Sequence, residues 1–327
     1  MKPLAYQVLR QLAHGEFVPG AQLARAVAMS RTSVWNAAAE IEAAGLDVYR
    51  VRGRGYRLAR PLTMLDAAAI TRHLGEASPF AIEVTDEADS TNTLLMQRAR
   101  EGAPHASVAA AEWQRAGRGR LDRRWHGELG GALMFSLLWR FSCGAAALAG
   151  LSLAAGVAVA RALTARGAAE VGLKWPNDVL WRGRKLAGML IEMQGDALGP
   201  SAVVIGVGVN VRLGEAARKR IDQPVSDLET VTGREIDRNA LLAAILEEMN
   251  RVLLIFEREG FRPLRAEWQS RHVHQNCVVR LTTQGLRADS GIARGVTEEG
   301  ALLIETARGV LPFHSGDVSV RAAERLP

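Results

Sequence analysis

The first sixty residues combine three short helical patterns with an alternating basic segment. Pro3 suits the first turn of one helix, AQLARAVA makes a second, and Ser30 can cap a third helix that Gly45 ends. The following stretch, LDVYRVRGRGYRL, alternates about a turn at Gly53–Gly55 and predicts a β-hairpin. Three helices followed by a basic hairpin are typical of a winged helix-turn-helix domain.

The excess positive charge of the chain lies in this segment. The 327 residues carry a net charge of +6, and residues 1–60 hold nine Lys or Arg and four Asp or Glu, a net of +5. A small basic module of this kind is expected to meet a polyanion. A helical domain that uses the same fold for protein contacts is the alternative, and the charge distribution favours DNA. The predicted DNA-binding residues are Arg31, Thr32, Ser33, Asn36, Arg52 and Arg54.

The composition indicates an ordinary globular chain with room for two or three domains. Hydrophobic residues make up 48% and charged residues 23% of the sequence. The uncharged run Phe141–Ala160 is long enough to span a bilayer, but it is rich in Ala and Gly, so we expect a buried core helix and no membrane association. The start of the chain lacks an apolar signal region, and Cys143 and Cys277 match no metal or redox spacing. A reducing, cytoplasmic location is expected.

From about residue 63 the pattern changes to mixed helices and strands that carry four short motifs. Taken singly, the polar residues of the first motif could be helix caps, and the third could be an ordinary turn. The glycines of the second let the backbone fold around a small ligand, and its arginines favour an anion. In chain order the motifs are DSTN at 89–92, QRAGRGR at 114–120, KWPND at 174–178 with RKLAG at 184–188, and GVGVN at 206–210.

This combination of motifs resembles the biotin–protein ligase family. With its winged helix, the whole chain is similar to the bifunctional biotin ligase and biotin-operon repressor. The resemblance implies an α+β fold with a central mixed α/β domain, like that of class II synthetases, and a small C-terminal SH3-like barrel. Alternating segments after residue 273 agree with such a barrel. The predicted domains are 1–60, 64–272 and 273–323.

The implied chemistry is the activation of biotin by ATP. Forming an acyl-adenylate brings two anions together, so positioned cations and backbone N–H groups must stabilise the charge at the α-phosphate. The chain has no G-x-x-x-x-G-K-[ST] loop to bind phosphate. We expect residues 117–120 to wrap the junction between carboxylate and phosphate instead, and closure of this loop to exclude water.

The resemblance also implies roles for single residues. Ser90, Thr91 and Gln114 are expected to bind the ureido group of biotin, with Asn92 in the same motif, and Lys185 to reach the carboxylate and then the acyl phosphate. The predicted catalytic residues are Lys185, Arg118, Arg120 and Asp178, of which the last would orient or deprotonate the acceptor amine. The predicted ligand-binding residues are Ser90, Thr91, Asn92, Gln114, Gly117, Arg118, Gly119, Arg120, Trp125, Lys185, Gly188, Gly206, Gly208, Asn210, Phe313 and Arg321.

Within that set, Trp125 is expected to cover the ligand and Asn210 to lie near the adenylate or its metal. Phe313 would contact adenine, and Arg321 would be a cationic contact on the nucleotide side. Two departures from the family pattern stand out. Leu121 and Asp122 interrupt the basic loop, and Ala132 replaces an asparagine that is frequent at that strand entry.

The resemblance further implies partners and cofactors. Mg²⁺ would accompany ATP without dedicated protein ligands. Activated biotin would pass to a lysine of the biotin carboxyl carrier protein, an acetyl-CoA carboxylase subunit, and the adenylate-bound form would dimerise on operator DNA. Three alternatives remain open: a biotin-responsive regulator with weak or no ligase turnover, a ligase whose winged helix no longer reads an operator, and a lipoate-type ligase.

Overall fold

The structure, a computed structural model, describes residues 1–195, 199–283, 286–314 and 318–322. The first sixty residues form three helices and an antiparallel hairpin, as predicted. Ser30 caps the third helix, because its side chain accepts a hydrogen bond from the Ser33 amide. The elements are α1 (Pro3–Leu12), α2 (Gly20–Ala26), α3 (Arg31–Ala43), β1 (Val48–Val51) and β2 (Gly55–Leu58).

A seven-stranded sheet in the order β3-β4-β5-β9-β8-β7-β6 forms the centre of the molecule. Strands β3 and β4 are parallel and the other neighbours are antiparallel. The elements are α4 (Ala67–Leu74), β3 (Ala81–Ala88), α5 (Thr91–Arg100), β4 (Ser107–Gln114), β5 (Ala132–Phe141), α6 (Leu151–Ala165), β6 (Val171–Lys174), β7 (Asp178–Trp181), β8 (Arg184–Gly195), β9 (Ser201–Asn210), α7 (Glu215–Lys219), α8 (Leu228–Thr232), α9 (Arg238–Glu259) and α10 (Arg265–Ser270).

The uncharged run Phe141–Ala160 is not one helix, so that prediction was wrong in its extent. Phe141 ends β5, and α6 begins only at Leu151, after Gly150 with a φ of 83°. The run contains both a strand end and a helix start, and their shared apolar composition conceals the boundary. A short 3-10 helix at Ala145–Leu148 and α6 together form a helical stretch, Ala145–Ala165, that is long and apolar enough to cross a membrane, but 67% of its most apolar window is buried in the protein. It packs against α9 and the sheet.

The C-terminal domain is a five-stranded antiparallel sheet in the order β13-β12-β11-β10-β14. Its buried residues belong to the same hydrophobic core as the central domain. The indole N–H of buried Trp175 donates to the Gly300 carbonyl at 3.1 Å and joins the two domains. The strands are β10 (Val278–Thr283), β11 (Leu286–Val296), β12 (Leu302–Thr306), β13 (Gly309–Phe313) and β14 (Val318–Ala322).

A buried ion pair binds the linker (residues 59–66) between the winged helix and the central domain. Arg238, at the start of α9, contacts the carboxylate of Glu112 at 2.7 Å, and their side chains are 2% and 1% exposed. Arg238 also donates to the Thr63 carbonyl at 2.8 Å, and Glu112 accepts the Leu65 amide. Since the linker's own polar groups are bound by this pair, it is part of the folded core and not a free tether.

We predict that Arg238→Met lowers the free energy of unfolding by about 3 to 5 kcal/mol, because it leaves the Glu112 carboxylate buried without its counter-charge. The exposed pair of Arg98 and Glu83 provides the control, and Glu83→Gln should change stability by about 1 kcal/mol or less. Urea unfolding monitored by circular dichroism measures both. Equal stability of Arg238→Met and the parent would show that the buried ion pair does not stabilise the fold.

Candidate functional site

The DSTN motif lies at the wall of a cleft, where β3 ends and α5 begins. Ser90 is the N-cap of α5, so the helix-cap interpretation of this residue holds in the structure. The Thr91 amide donates to Gln114 Oε1 at 3.0 Å, and the hydroxyl oxygens of Thr91 and Ser136 lie 2.8 Å apart. These contacts bring two separate motifs together as a neutral polar wall.

Asn92 is held by the protein on both ends of its amide. Its Nδ2 donates to the Leu190 carbonyl at 3.2 Å and to Glu192 at 2.9 Å, and its Oδ1 accepts from Ser136 at 2.6 Å. The side chain lies on the backbone of Gly206, where an added methyl group would be 2.0 Å from Asn92 Oδ1. Asn92 therefore joins α5 to the sheet.

The arginine–glycine segment folds into a small hairpin over the cleft. Its strands are joined by hydrogen bonds from Gly119 N to Arg123 O at 2.7 Å and from Trp125 N to Gly117 O at 2.9 Å. Leu121 and Asp122, both with a φ of 54°, form the turn. Two-residue loops between antiparallel strands favour positive φ at both loop residues. The two residues that interrupt the basic run are thus the tip of the hairpin.

Trp125 brings the hairpin against the sheet. Its ring lies on Gly208, where an added methyl group would be 2.4 Å from Trp125 Cε2. The Lys185 ammonium is 5.6 Å from the centre of the ring, within range of a cation–π contact. Gly208 therefore provides space for the indole beside the cleft's lysine.

Lys185 and Asp178 form the ion pair at the floor of the cleft. Lys185 Nζ is 2.7 Å from Asp178 Oδ1, and the two side chains are 16% and 12% exposed. Adjacent antiparallel strands β7 and β8 carry them. A side chain at Gly188 would crowd the pair, since its Cβ would lie 3.0 Å from Lys185 Cε. Asn210 supports the same strand by donating to the Lys185 carbonyl at 3.3 Å and to the Ser226 carbonyl at 3.1 Å.

Most of the predicted ligand-binding residues line this one cleft. Gly117 is instead buried in the hairpin, and Phe313, the last residue of β13, packs against the core outside the cleft lining. Arg321 pairs with Arg280 in the C-terminal sheet, and its side chain lies outside the described residues. The predicted residues that do line the cleft are Ser90, Thr91, Asn92, Gln114, Arg118, Gly119, Arg120, Trp125, Asp178, Lys185, Gly188, Gly206, Gly208 and Asn210.

Several lining residues had not been predicted. Lys174, Trp175, Pro176 and Asn177 belong to the KWPND motif, Val207 to GVGVN, and Arg123 and Arg124 to the arginine-rich loop, so the motifs themselves could have indicated them. The others come from segments without any motif, and no sequence signal marks them as part of the cleft. They are His126, Phe135, Met189, Leu190, Ile221, Gln223, Val225 and Val320.

The cleft is strongly cationic. Its lining in the described part of the chain includes four arginines and two lysines but only one carboxylate, that of Asp178. Such a concentration of one sign of charge attracts an anionic ligand. Among the residues that the structure describes, no three His, Cys, Asp or Glu side chains are grouped to hold a metal ion.

A second basic surface lies on the winged helix. Arg31, Thr32 and Asn36 are exposed on α3, and Arg52 and Arg54 are exposed in the hairpin. The predicted contact residue Ser33 is only half-exposed, and its hydroxyl lies 3.0 Å from Ser30 Oγ within the helix cap. The helix and hairpin thus present cations on one small domain, while the cleft presents them in the centre of the chain.

Comparison with known proteins identifies the family. Residues 84–210 match the model of the biotin/lipoate A/B protein ligase family, 5–57 an HTH domain, and 275–321 the biotin protein ligase C-terminal domain. The chain is 36% identical over 323 residues to the bifunctional ligase/repressor BirA of Escherichia coli (strain K12), covering 98% of both proteins. This chain belongs to the bifunctional biotin ligase/repressor family.

More distant members of the ligase group agree with the assignment. The bifunctional ligase/repressor BirA of Bacillus subtilis (strain 168) is 30% identical over 310 residues, which cover 94% of this chain and 95% of that one. The biotin protein ligase of Aquifex aeolicus in complex with biotin and ATP matches 74% of this chain and 99% of its own, with 28% identity and a TM-score of 0.63. The predicted family and the α+β fold class are confirmed.

We predict different effects on the melting temperature for alanine substitutions at the two glycines of the GVGVN motif. Gly206→Ala should lower the melting temperature by several degrees, because the hydrogen-bonded Asn92 amide cannot move away from the added methyl group. Gly208→Ala should change it little, because the half-buried Trp125 can swing out with the hairpin. Differential scanning calorimetry measures both variants. An equal loss of stability in the two would show that the hairpin is as firmly held as Asn92.

Proposed function

We propose that this ligase forms biotinyl-5′-adenylate from biotin and ATP in the cleft and transfers the biotinyl group to a lysine of a carrier protein. The observation that carries the proposal is the arrangement of the cleft. A neutral polar wall, an ammonium paired to a carboxylate and a hairpin of arginines all face one space. A ligand with a neutral polar head and an anionic tail fits this distribution of groups.

The neutral wall suits the ureido group of biotin. Ser90, Thr91 and Gln114 offer hydroxyl and amide groups that can both donate and accept, as a buried urea requires. Asn92 acts indirectly in this proposal, because its polar atoms are engaged by the protein. The apolar part of the ligand then lies along Phe135 and Val207, towards Lys185.

The cationic groups act at the carboxylate and the α-phosphate. The biotin carboxylate attacks the α-phosphorus, an O–P bond forms, and pyrophosphate leaves with its bonding electron pair. Lys185, Arg118 and Arg120 stabilise the negative charge that the transition state concentrates on the phosphate oxygens. Trp125 covers this junction and excludes water, together with the backbone of Gly119, so that the mixed anhydride survives until transfer.

The nucleotide side of the cleft is bounded by Ile221, Gln223 and Val225. We place the adenine against these residues instead of Phe313, which packs against the core. Asn210 positions the strand that carries Lys185. We propose that Arg321, in β14 of the C-terminal domain, is a cationic contact for the nucleotide.

Mg²⁺ fits the cleft only as a companion of ATP. Asp178 is the one carboxylate of the described lining, and it is engaged with Lys185. The ion would therefore be held by phosphate oxygens and water, as Mg²⁺ usually is, and would offset the charge of the leaving pyrophosphate.

Transfer requires a neutral acceptor amine. Asp178 Oδ1 lies beside Lys185 and can accept the proton once the lysine ammonium turns to the acyl phosphate. The amine nitrogen then attacks the acyl carbon, an amide bond forms, and AMP leaves. The acceptor in this proposal is the biotin carboxyl carrier protein of acetyl-CoA carboxylase.

We predict that Lys185→Ala slows adenylate formation by about a hundredfold or more, because the charge on the phosphate loses its nearest ammonium. The variant should remain folded, since Lys185 lies in a cleft and not in the core. Lys2→Ala removes an exposed lysine of the other domain and is the matched control. Release of pyrophosphate from biotin, ATP and Mg²⁺ measures the rate. A parental rate in Lys185→Ala would remove this residue from the mechanism.

We also propose that the adenylate-bound protein dimerises in the cytoplasm and represses operator DNA through the winged helix. The exposed cations of α3 and the hairpin support this proposal. One helix would enter the major groove, and Arg52 and Arg54 would lie along phosphates.

DNA affinity should therefore fall steeply as salt concentration rises. Arg52→Ala combined with Arg54→Ala should reduce the slope of log affinity against log salt by about 0.9 for each phosphate that the protein no longer neutralises. Arg182→Ala removes an exposed, paired arginine of the central domain and should leave the slope unchanged. Fluorescence anisotropy of labelled duplex DNA at several salt concentrations gives the slopes. An unchanged slope in the double variant would exclude the hairpin from the interface.

A further inference from the structure

Glu192, a carboxylate on β8, connects two of the functional motifs from outside the cleft lining. Its Oε1 lies 2.9 Å from Arg118 Nη1 of the arginine hairpin. Its Oε2 accepts a hydrogen bond from Asn92 Nδ2 of the DSTN motif at 2.9 Å. Glu192 thus contacts both Asn92, in the motif that forms the neutral polar wall, and Arg118, the cation proposed to act on the phosphate.

The surroundings of Glu192 fix its carboxylate. The side chain is 22% exposed, and the Asn92 amide that it accepts from is itself held by Ser136 and the Leu190 carbonyl. A long arginine side chain that is 48% exposed would otherwise sample many rotamers. A charge-assisted bond to a fixed partner restricts those rotamers.

Contact with Glu192 leaves Arg118 able to serve a ligand. A guanidinium has five N–H donors in a planar fork, and the contacts with Glu192 involve Nη1. Arg118 also lines the cleft. The same guanidinium can therefore hold Glu192 on one side and present the donors of its other nitrogens to a phosphate oxygen.

We propose that Glu192 is a positioning residue for adenylate formation, which orients Arg118 towards the place where charge develops on the α-phosphate. The proposal rests on the proposed function of the cleft. Orienting the cation before ATP arrives removes part of the ordering that the transition state would otherwise require. Because the partner of Glu192 on its other side is Asn92, the orientation of Arg118 is set by the same element that binds the biotin head.

A double-mutant cycle tests whether Glu192 acts through Arg118. The variants are Glu192→Gln, Arg118→Gln and the two combined, assayed for pyrophosphate release with biotin, ATP, Mg²⁺ and a saturating concentration of the carrier domain as acceptor. Glu192→Gln should lower kcat by about tenfold, the loss expected for one charge-assisted hydrogen bond. The KM for biotin should stay within about twofold of the parent value, since glutamine keeps an oxygen that accepts from Asn92. The double variant should be no slower than Arg118→Gln alone.

Arg118→Lys probes the same pair without altering Glu192. It keeps the positive charge, but a single ammonium lacks the fork that contacts carboxylate and phosphate together, so kcat should again fall by about tenfold. Glu83→Gln, which breaks an exposed Arg–Glu pair outside the cleft, is the matched control and should match the parent. The melting temperature of every variant is measured alongside.

The outcomes separate this inference from the proposed function. Effects of Glu192→Gln and Arg118→Gln that multiply in the double variant would overturn the positioning role, as would parental rates in Glu192→Gln or Arg118→Lys. A raised KM for biotin with unchanged kcat would also overturn it, because Glu192 would then affect biotin binding through Asn92 and not catalysis through Arg118. A parent protein that forms no adenylate would overturn the proposed function itself.

Discussion

The arrangement of cations in the cleft depends on carboxylates of the protein that form ion pairs with them. Arginines and lysines that line one small space repel each other, and each must be held in place before a ligand supplies negative charge. Asp178 holds Lys185 at 2.7 Å, and Glu192 holds Arg118 at 2.9 Å. Each contact uses part of the cation's hydrogen-bonding capacity and leaves the rest for an anion. The protein's own side chains therefore supply a charge distribution that suits an acyl-adenylate.

The sheet and the linker supply the rigidity that this arrangement needs. Strand β9 runs through the sheet between β5 and β8, and its glycines allow the Asn92 and Trp125 side chains to lie directly on the backbone. Strand β4 links the two functional regions, since Gln114 faces the cleft and buried Glu112 binds the linker. The buried ion pair of Arg238 and Glu112 therefore fixes the chain segment that joins the DNA-binding domain to the catalytic domain.

The sequence was sufficient for the architecture and for the motif-bearing part of the cleft. Capping by Ser30 and the turn at Gly53–Gly55 are local signals, and the winged helix followed from them. The run Phe141–Ala160 was misjudged because hydrophobicity alone does not distinguish a buried strand from a buried helix. Ile221 and Val225 could not be predicted at all. They reach the cleft only because the chain after β9 returns to pair beside Lys185, a long-range contact with no local signal.

Incubation of the protein with biotin, ATP and Mg²⁺, followed by mass spectrometry, tests the central claim that the cleft activates biotin. A biotin carboxyl carrier domain is included in half of the samples. Biotinyl-5′-adenylate is expected in both halves, and the carrier domain should gain the mass of one biotinyl group. Adenylate without modified carrier would indicate a protein that makes its own corepressor. If neither product forms while biotin still binds, the cleft does not activate biotin, and it is then a receptor and not an active site.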